Sequence, residues 1–310
     1  MTNPAPANPQ PHGVDGQVLG GASRLAAYSN FVKVAHTVFA LPFAVVGIVT
    51  AVKQGFPLRW PTVGLAILAF AAARFAGMGF NRIADLRWDS LNPRTAKREL
   101  PAGRMSLREA WLLVSFASVL FLLCSALLNP VCFALSPVAL AWIVGYSFTK
   151  RFTHLSHLWL GWGMAIAPVG GYLAVAGTWS IPWSLMVVMA AAVACWGGGF
   201  DVIYALQDQA FDREHGLKSI PVLLGARNAI WVARGLHAAA LGALLVFWFG
   251  SGFGWLFGLG LGVAGVLLAW EHRLVRVGDY SKLDAAFFTM NGIISAVVMT
   301  GALADAYFRR

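Results

Sequence analysis

The sequence predicts an all-α membrane protein, a bundle of nine transmembrane helices, and three observations carry that prediction. Hydrophobic residues make up 58% of the 310-residue chain and charged residues only 12%, for a mean hydropathy of +0.67 that a soluble domain of this size does not normally reach. Apolar stretches of about 20 residues, the length that crosses a bilayer as a helix, recur from end to end. The Lys and Arg residues between them collect on one side when alternate loops are assigned to opposite faces.

Taken in order, residues 1–24, MTNPAPANPQPHGVDGQVLGGASR, combine Pro, Gly, Asn and Ala without an apolar core and read as a disordered tail lacking a cleavable signal peptide. Residues 25–310 read as a single transmembrane domain. Its spans fall at about residues 31–52, 62–81, 109–128, 131–149, 157–177, 182–203, 228–248, 252–271 and 284–307. The Gly and Pro inside them suit membrane helices, where neighbouring helices and local water satisfy freed backbone groups. Between the second and third spans, Pro93 and Pro101-Ala102-Gly103 break the helix, and Ser106 with Glu109 has the spacing of a capping box that starts the next one. A loop ordered by turns at both ends reads as a lid over a site at the membrane surface. Cys124, Cys132 and Cys195 lie in or beside spans without paired spacing, so they read as packing residues and not as a disulfide framework or a zinc site.

Charge then sets orientation. Of the 23 Lys and Arg residues, 18 fall on the amino-terminal side of the membrane. The positive-inside rule places that side in the cytoplasm of a bacterial inner membrane. Topology and contact with anionic lipid account for most of these cations, and no nucleic-acid partner is expected. Arg74 is the exception: a guanidinium well inside a span is costly and faces a cavity or a partner.

The 13 acids are few and concentrated. Asn81-x-x-x-Asp85-x-x-x-Asp89 and Asp201-x-x-Tyr204-x-x-x-Asp208-x-x-x-Asp212 each sit where an apolar span meets a basic loop on the cytoplasmic side. Positions four apart share a helical face, so each cluster presents neighbouring carboxylates that repel unless a cation lies between them. Hard oxygen ligands at a membrane surface suit Mg²⁺, which binds one or two carboxylates and bridges to substrate phosphates.

These segments resemble the UbiA-type membrane prenyltransferases over residues 30–307. The likeness rests on Asn81-Arg82-x-x-Asp85-x-x-x-Asp89, Asn92-Pro93-Arg94-Thr95-Ala96-x-Arg98-Glu99-Leu100-Pro101-x-Gly103, Tyr146-Ser147-Phe148-Thr149-Lys150-Arg151-Phe152-Thr153-His154, the second acidic cluster, and Gly216-x-Lys218-Ser219-Ile220-Pro221. The resemblance implies a nine-helix bundle around a central cavity with a cytoplasmic cap, and Mg²⁺-dependent transfer of a polyprenyl group from its diphosphate to an aromatic acid. It assigns Asn81, Asp85, Asp208 and Asp212 to the metal–diphosphate site, with Asp89 and Asp201 as supporting acids. Lys150 and Arg151 look like diphosphate contacts, joined by Arg94 or Lys218. Cation-stabilising rings are sought among Tyr146, Phe148 and Tyr204.

The acceptor is less defined. For an aromatic carboxylate such as 4-hydroxybenzoate, Arg74 is the candidate carboxylate partner, His36 a candidate contact, and Asp201 a candidate base for the phenol. Arg82 after Asn81 and the first-span run Val32-Lys33-x-x-His36-Thr37-Val38-Phe39-Ala40-Leu41-Pro42-Phe43 resemble members found beside alternative menaquinone pathways. Both ubiquinone and menaquinone biosynthesis therefore stand, with a dihydroxynaphthoate as the second acceptor. Outside enzymes, clustered acids and an intramembrane Arg also mark transporters, and the two acidic clusters suggest two related halves. Against that reading, the opposite face offers essentially only Asp305 as an exit.

Overall fold

The computed structural model describes residues 24–31, 37–179, 183–275, 277–278, 280, 283 and 289–308. The 1–24 tail and His36 therefore lie outside the described residues, apart from Arg24. Every regular element described is helical: α1 (Arg24–Phe31), α2 (Thr37–Lys53), α3 (Trp60–Ala84), α4 (Leu86–Leu91), α5 (Leu107–Leu128), α6 (Pro130–Thr149), α7 (Ser156–Ala176), α8 (Trp183–Tyr204), α9 (Gln209–Glu214), α10 (Ile220–Ser251), α11 (Trp255–Leu274) and α12 (Asn291–Phe308).

Local sequence explains most boundaries. Ser106 caps α5 and Glu109 closes the predicted capping box. Asn129 accepts the Cys132 N–H at the start of α6, where Pro130 occupies a position whose N–H has no helical partner. Ser219 does the same for α10 ahead of Pro221. Gly177 ends α7 with φ 65°, a left-handed cap suited to glycine.

Eight described helices are long and apolar enough to span a bilayer, one fewer than the nine expected. The difference is α2. Its 17 residues rise about 26 Å, short of a 30 Å hydrocarbon core, because the described helix begins only at Thr37. Bulky apolar side chains on the outer surface, among them Trp111, Leu112, Phe116 and Phe249, face where lipid belongs.

α8 is the most buried span, packed between α7 and α10, while α2 lies against α7 and α12, and α3 against α5. Small residues permit the close approach. A Cβ on Gly161 would meet the main-chain carbonyl of Ala194, and one on Gly171 would meet that of Ala44, so α7 touches both α8 and α2 backbone to backbone. Gly161→Leu is expected to force α7 from α8 and destabilise the protein by on the order of 3 kcal/mol. Thermal unfolding in detergent checks this; an unchanged midpoint means the two helices can part freely. At the face opposite the acidic clusters, buried Asp305 accepts from the Gly254 N–H and from Lys53 at 3.1 Å. Among the described residues this acid is thus a staple joining α2, the start of α11 and α12.

Candidate active site

Helix ends deliver the chemistry. α3 carries Asn81 and then stops at Asp85, whose N–H still reaches the Asn81 carbonyl, and α4 presents Asp89 one turn further on. α8 carries Asp201 and Tyr204, after which residues Ala205–Asp208 tighten into a 3₁₀ turn before α9 places Asp212. The turns after α4 bring Asn92, Arg94, Thr95 and Arg98 across the top. All of these line one cavity of about 770 Å³, with Tyr146, Ser147, Lys150 and Arg151 from the end of α6. Two acidic clusters more than 100 residues apart therefore share one chamber. Below them its walls turn apolar, through Phe39, Phe70, Ile143, Trp159 and Phe200, down to Leu128 and Leu173.

The acids are held by cations drawn from other elements. Asp208 accepts Nε and Nη2 of Arg94 at 3.0 and 2.6 Å, a two-pronged grip, and Nδ2 of Asn92 at 3.0 Å. Asp212 accepts from Lys150 at 3.0 Å. Asp85 accepts Nδ2 of Asn81 at 2.8 Å and lies 3.5 Å from Arg151, which also donates to the Ala84 carbonyl. Asp89 accepts from Arg98 at 2.7 Å, with Arg82 3.9 Å away. Burial, aided by the neighbouring Asp89 charge, raises the Asp85 carboxyl to about 6, and Lys150 and Arg151 only partly counter it. For Lys150, burial is the largest influence and favours the neutral amine, yet the Asp212 and Asp208 charges outweigh it and hold the ammonium above its ordinary range.

Other expected residues divide by position. Arg74 lines the cavity from the middle of α3, and its Nε is buried without a hydrogen-bond partner. Tyr146 and Tyr204 face the chamber; the Arg94 guanidinium sits 5.4 Å over the Tyr204 ring and donates to its hydroxyl at 3.2 Å. Phe148 does not line the cavity. It packs edge-on against Phe80, with Arg151 4.9 Å from its ring, because residues two apart on a helix point to different faces. Lys218 is also absent from the lining: its Nζ donates to the Phe152 carbonyl and its N–H to that of Lys150, so it fixes the end of α6.

Sequence reasoning gave no role to three residues that the structure brings in. Asn92 and Arg98 grip Asp208 and Asp89. His157, fully buried at the start of α7, lies 2.6 Å from Asp201 through Nδ1. The Asn92-to-Arg98 segment carried a signal in its turn residues and cations; His157 carried none.

Among the described residues no three His, Cys, Asp or Glu side chains converge tightly enough to hold a metal unaided. The donor set nevertheless fits Mg²⁺. Carboxylates and an amide oxygen are hard ligands, and that ion takes one or two of them while substrate phosphate and water complete its shell. A site requiring no third carboxylate is the kind that assembles with a diphosphate.

Comparison with known proteins agrees with this geometry. Residues 40–293 match the UbiA prenyltransferase family. A 4-hydroxybenzoate octaprenyltransferase from Azotobacter vinelandii is 37% identical over 237 residues, covering 75% of this chain and 77% of the relative, and one from Methylobacillus flagellatus is 30% identical over 81% and 84%. The apo structure of a UbiA homolog from Aeropyrum pernix K1 superimposes with a TM-score of 0.79 at 35% identity, covering 87% of this chain and 98% of the other. A UbiA homolog from Archaeoglobus fulgidus, solved with DMAPP and Mg²⁺ bound, shares the fold at a TM-score of 0.66 and 21% identity, covering 91% and 99%. Sequence, fold and the placement of the acids converge, and the chain belongs to the UbiA prenyltransferase family.

Proposed function

We propose that this protein transfers a polyprenyl group from its diphosphate to 4-hydroxybenzoate or a close aromatic acid, in quinone biosynthesis, as a single domain over residues 25–310. The observation that carries the reading is one chamber with both acidic clusters and the cations Arg94, Lys150 and Arg151 at one end and apolar walls at the other. A prenyl diphosphate has that same division of polarity. The bias of Lys and Arg supports a chamber mouth at the cytoplasmic face of the inner membrane.

Asp85 with Asn81, and Asp208 with Asp212, would hold Mg²⁺. When bound, Mg²⁺ neutralises charge building on the departing diphosphate oxygens. Asp89, engaged by Arg98, supports that set from behind. Lys150 and Arg151 meet the diphosphate as compact and forked donors, and Arg94 is the third cation within reach. Ser147, whose buried Oγ has no partner, adds a donor at the same end. Tyr146 and Tyr204 offer ring faces to the allylic cation. The prenyl chain follows the apolar walls, which keep water from intercepting that cation.

Arg74 receives the acceptor carboxylate, supported by its place in the chamber lining within a span and by a buried guanidinium Nε without a hydrogen-bond partner. Asp201 takes the phenol proton as the ring attacks. Arg74→Ala is expected to raise the acceptor KM by about 10-fold or more, the loss of one charge-assisted hydrogen bond, and to leave the prenyl diphosphate KM within about two-fold. Equal shifts in both would move Arg74 to the diphosphate site.

The deciding experiment incubates membranes containing the protein with a prenyl diphosphate and Mg²⁺, offering 4-hydroxybenzoate and a dihydroxynaphthoate in parallel, and identifies products by mass. Prenylated hydroxybenzoate is the expected result. Product from the naphthoate alone would move the chain to menaquinone synthesis, and Mg²⁺-dependent ion flux without product would favour transport.

A further inference from the structure

The Asp201 carboxylate is asymmetric. Oδ2 lies 2.6 Å from His157 Nδ1, while Oδ1 makes no hydrogen bond among the described residues and Asp201 lines the chamber. The other imidazole nitrogen of His157, Nε2, faces the N–H of Ile220 at 3.3 Å. A main-chain N–H only donates, so Nε2 is the acceptor and Nδ1 carries the ring proton. His157 is therefore a neutral donor aimed at Asp201, in one tautomer, fixed by the first residue of α10.

From this we infer that His157 is a positioning residue for acceptor activation: it pins one oxygen of Asp201 so that the other stands free, as an anion, to take the acceptor's proton. The inference rests on the reading of Asp201 as base. In the step served, the phenol O–H proton moves to Asp201 Oδ1 as a ring carbon bonds to prenyl C1. The C1–O bond breaks with its electron pair leaving on diphosphate; the ring proton of the resulting dienone then passes to the released diphosphate as Asp201 returns its proton to the ring oxygen, which restores the aromatic phenol and frees the base. Nothing is oxidised. The Lys150 ammonium and the Tyr146 hydroxyl feel the Asp201 charge across the chamber, while the hydrogen bond of the carboxylate itself goes to the imidazole. Ile220 N–H extends the control to the Gly216–Pro221 segment, which links a turn with no ring or charge of its own in the chamber to the base.

His157→Phe fills the same volume without either nitrogen, and His157→Asn keeps one N–H donor near the Nδ1 position. The test compares both with Asp201→Asn on a series of ring-fluorinated 4-hydroxybenzoates of graded phenol acidity, with prenyl diphosphate saturating. The Phe variant is expected to lose about 30-fold in kcat on the parent acceptor and progressively less on acceptors already ionised at assay pH, with prenyl diphosphate KM within two-fold. The Asn variant stays within about five-fold of wild type throughout. A loss in the Phe variant that is the same for every acceptor, or that falls on prenyl diphosphate KM, overturns the positioning role and makes His157 a helix-docking residue. Normal kcat in Asp201→Asn instead removes the base itself. If the Phe variant does not accumulate, the Asn variant decides alone: a large loss that ionised acceptors do not relieve overturns the inference.

Discussion

Asp208→Ala is expected to lower turnover by at least about 10²-fold, toward 10³, measured at saturating substrates. The carboxylate is the point where three functions meet. It is a metal-side oxygen in the proposed site, the anchor of Arg94 and Asn92, and the tie between the segment after α4 and the end of α8. Truncation strands a partly buried guanidinium as well as removing a ligand, so part of the loss reflects the cap coming loose. Asp208→Asn separates the two, since an amide keeps an oxygen for Arg94 but forfeits the charge that attracts Mg²⁺. The Asn variant should recover little rate at ordinary Mg²⁺ and should require a higher Mg²⁺ concentration for half-maximal activity. A variant of either kind with normal turnover and normal Mg²⁺ dependence removes Asp208 from the metal site.

The tie through Asp208 shows where sequence reading stops. Spacing of four placed Asn81, Asp85 and Asp89 together because a helix repeats nearly every four residues, and a shared loop face brought the second cluster to the same side. The partners of those acids were invisible, since Arg94 and Asp208 are 114 positions apart and only tertiary packing decides which cation reaches which carboxylate. Phe148 was legible and misjudged: Tyr146 and Lys150, four apart, share the cavity face, and a residue midway between them turns away. His157 and Lys218 lay beyond local rules altogether, one a His whose acidic partner is 44 positions away, the other a cation whose reach is set by the carbonyls left open after α6. The ninth span failed on length, as α2 is a short helix over its described residues.

Lys150→Met and Asp212→Asn should shift pyrophosphate affinity in opposite directions when Mg²⁺ is chelated. In the resting chamber two of the diphosphate-end cations are already engaged by acids, Lys150 by Asp212 at 3.0 Å and Arg94 by Asp208. A diphosphate arriving without metal must compete with those carboxylates for the same donors. With metal present the acids have another partner, and the cations are released to the phosphate. Removing the Asp212 charge does permanently what the ion does transiently, so Asp212→Asn is expected to bind pyrophosphate in EDTA about 10-fold more tightly than wild type, a difference of about 1.4 kcal/mol. Lys150→Met loses the donor and should bind more weakly by a similar factor, while prenyl transfer in Mg²⁺ falls by about 10² in both, one lacking a metal-side oxygen and the other a leaving-group cation. Isothermal titration with pyrophosphate, with and without Mg²⁺, reads the sign directly. Weakening in both variants under chelation would mean that the Lys150–Asp212 pair is one fixed structural unit, and that the ion pairs of this chamber do not exchange partners when substrate enters.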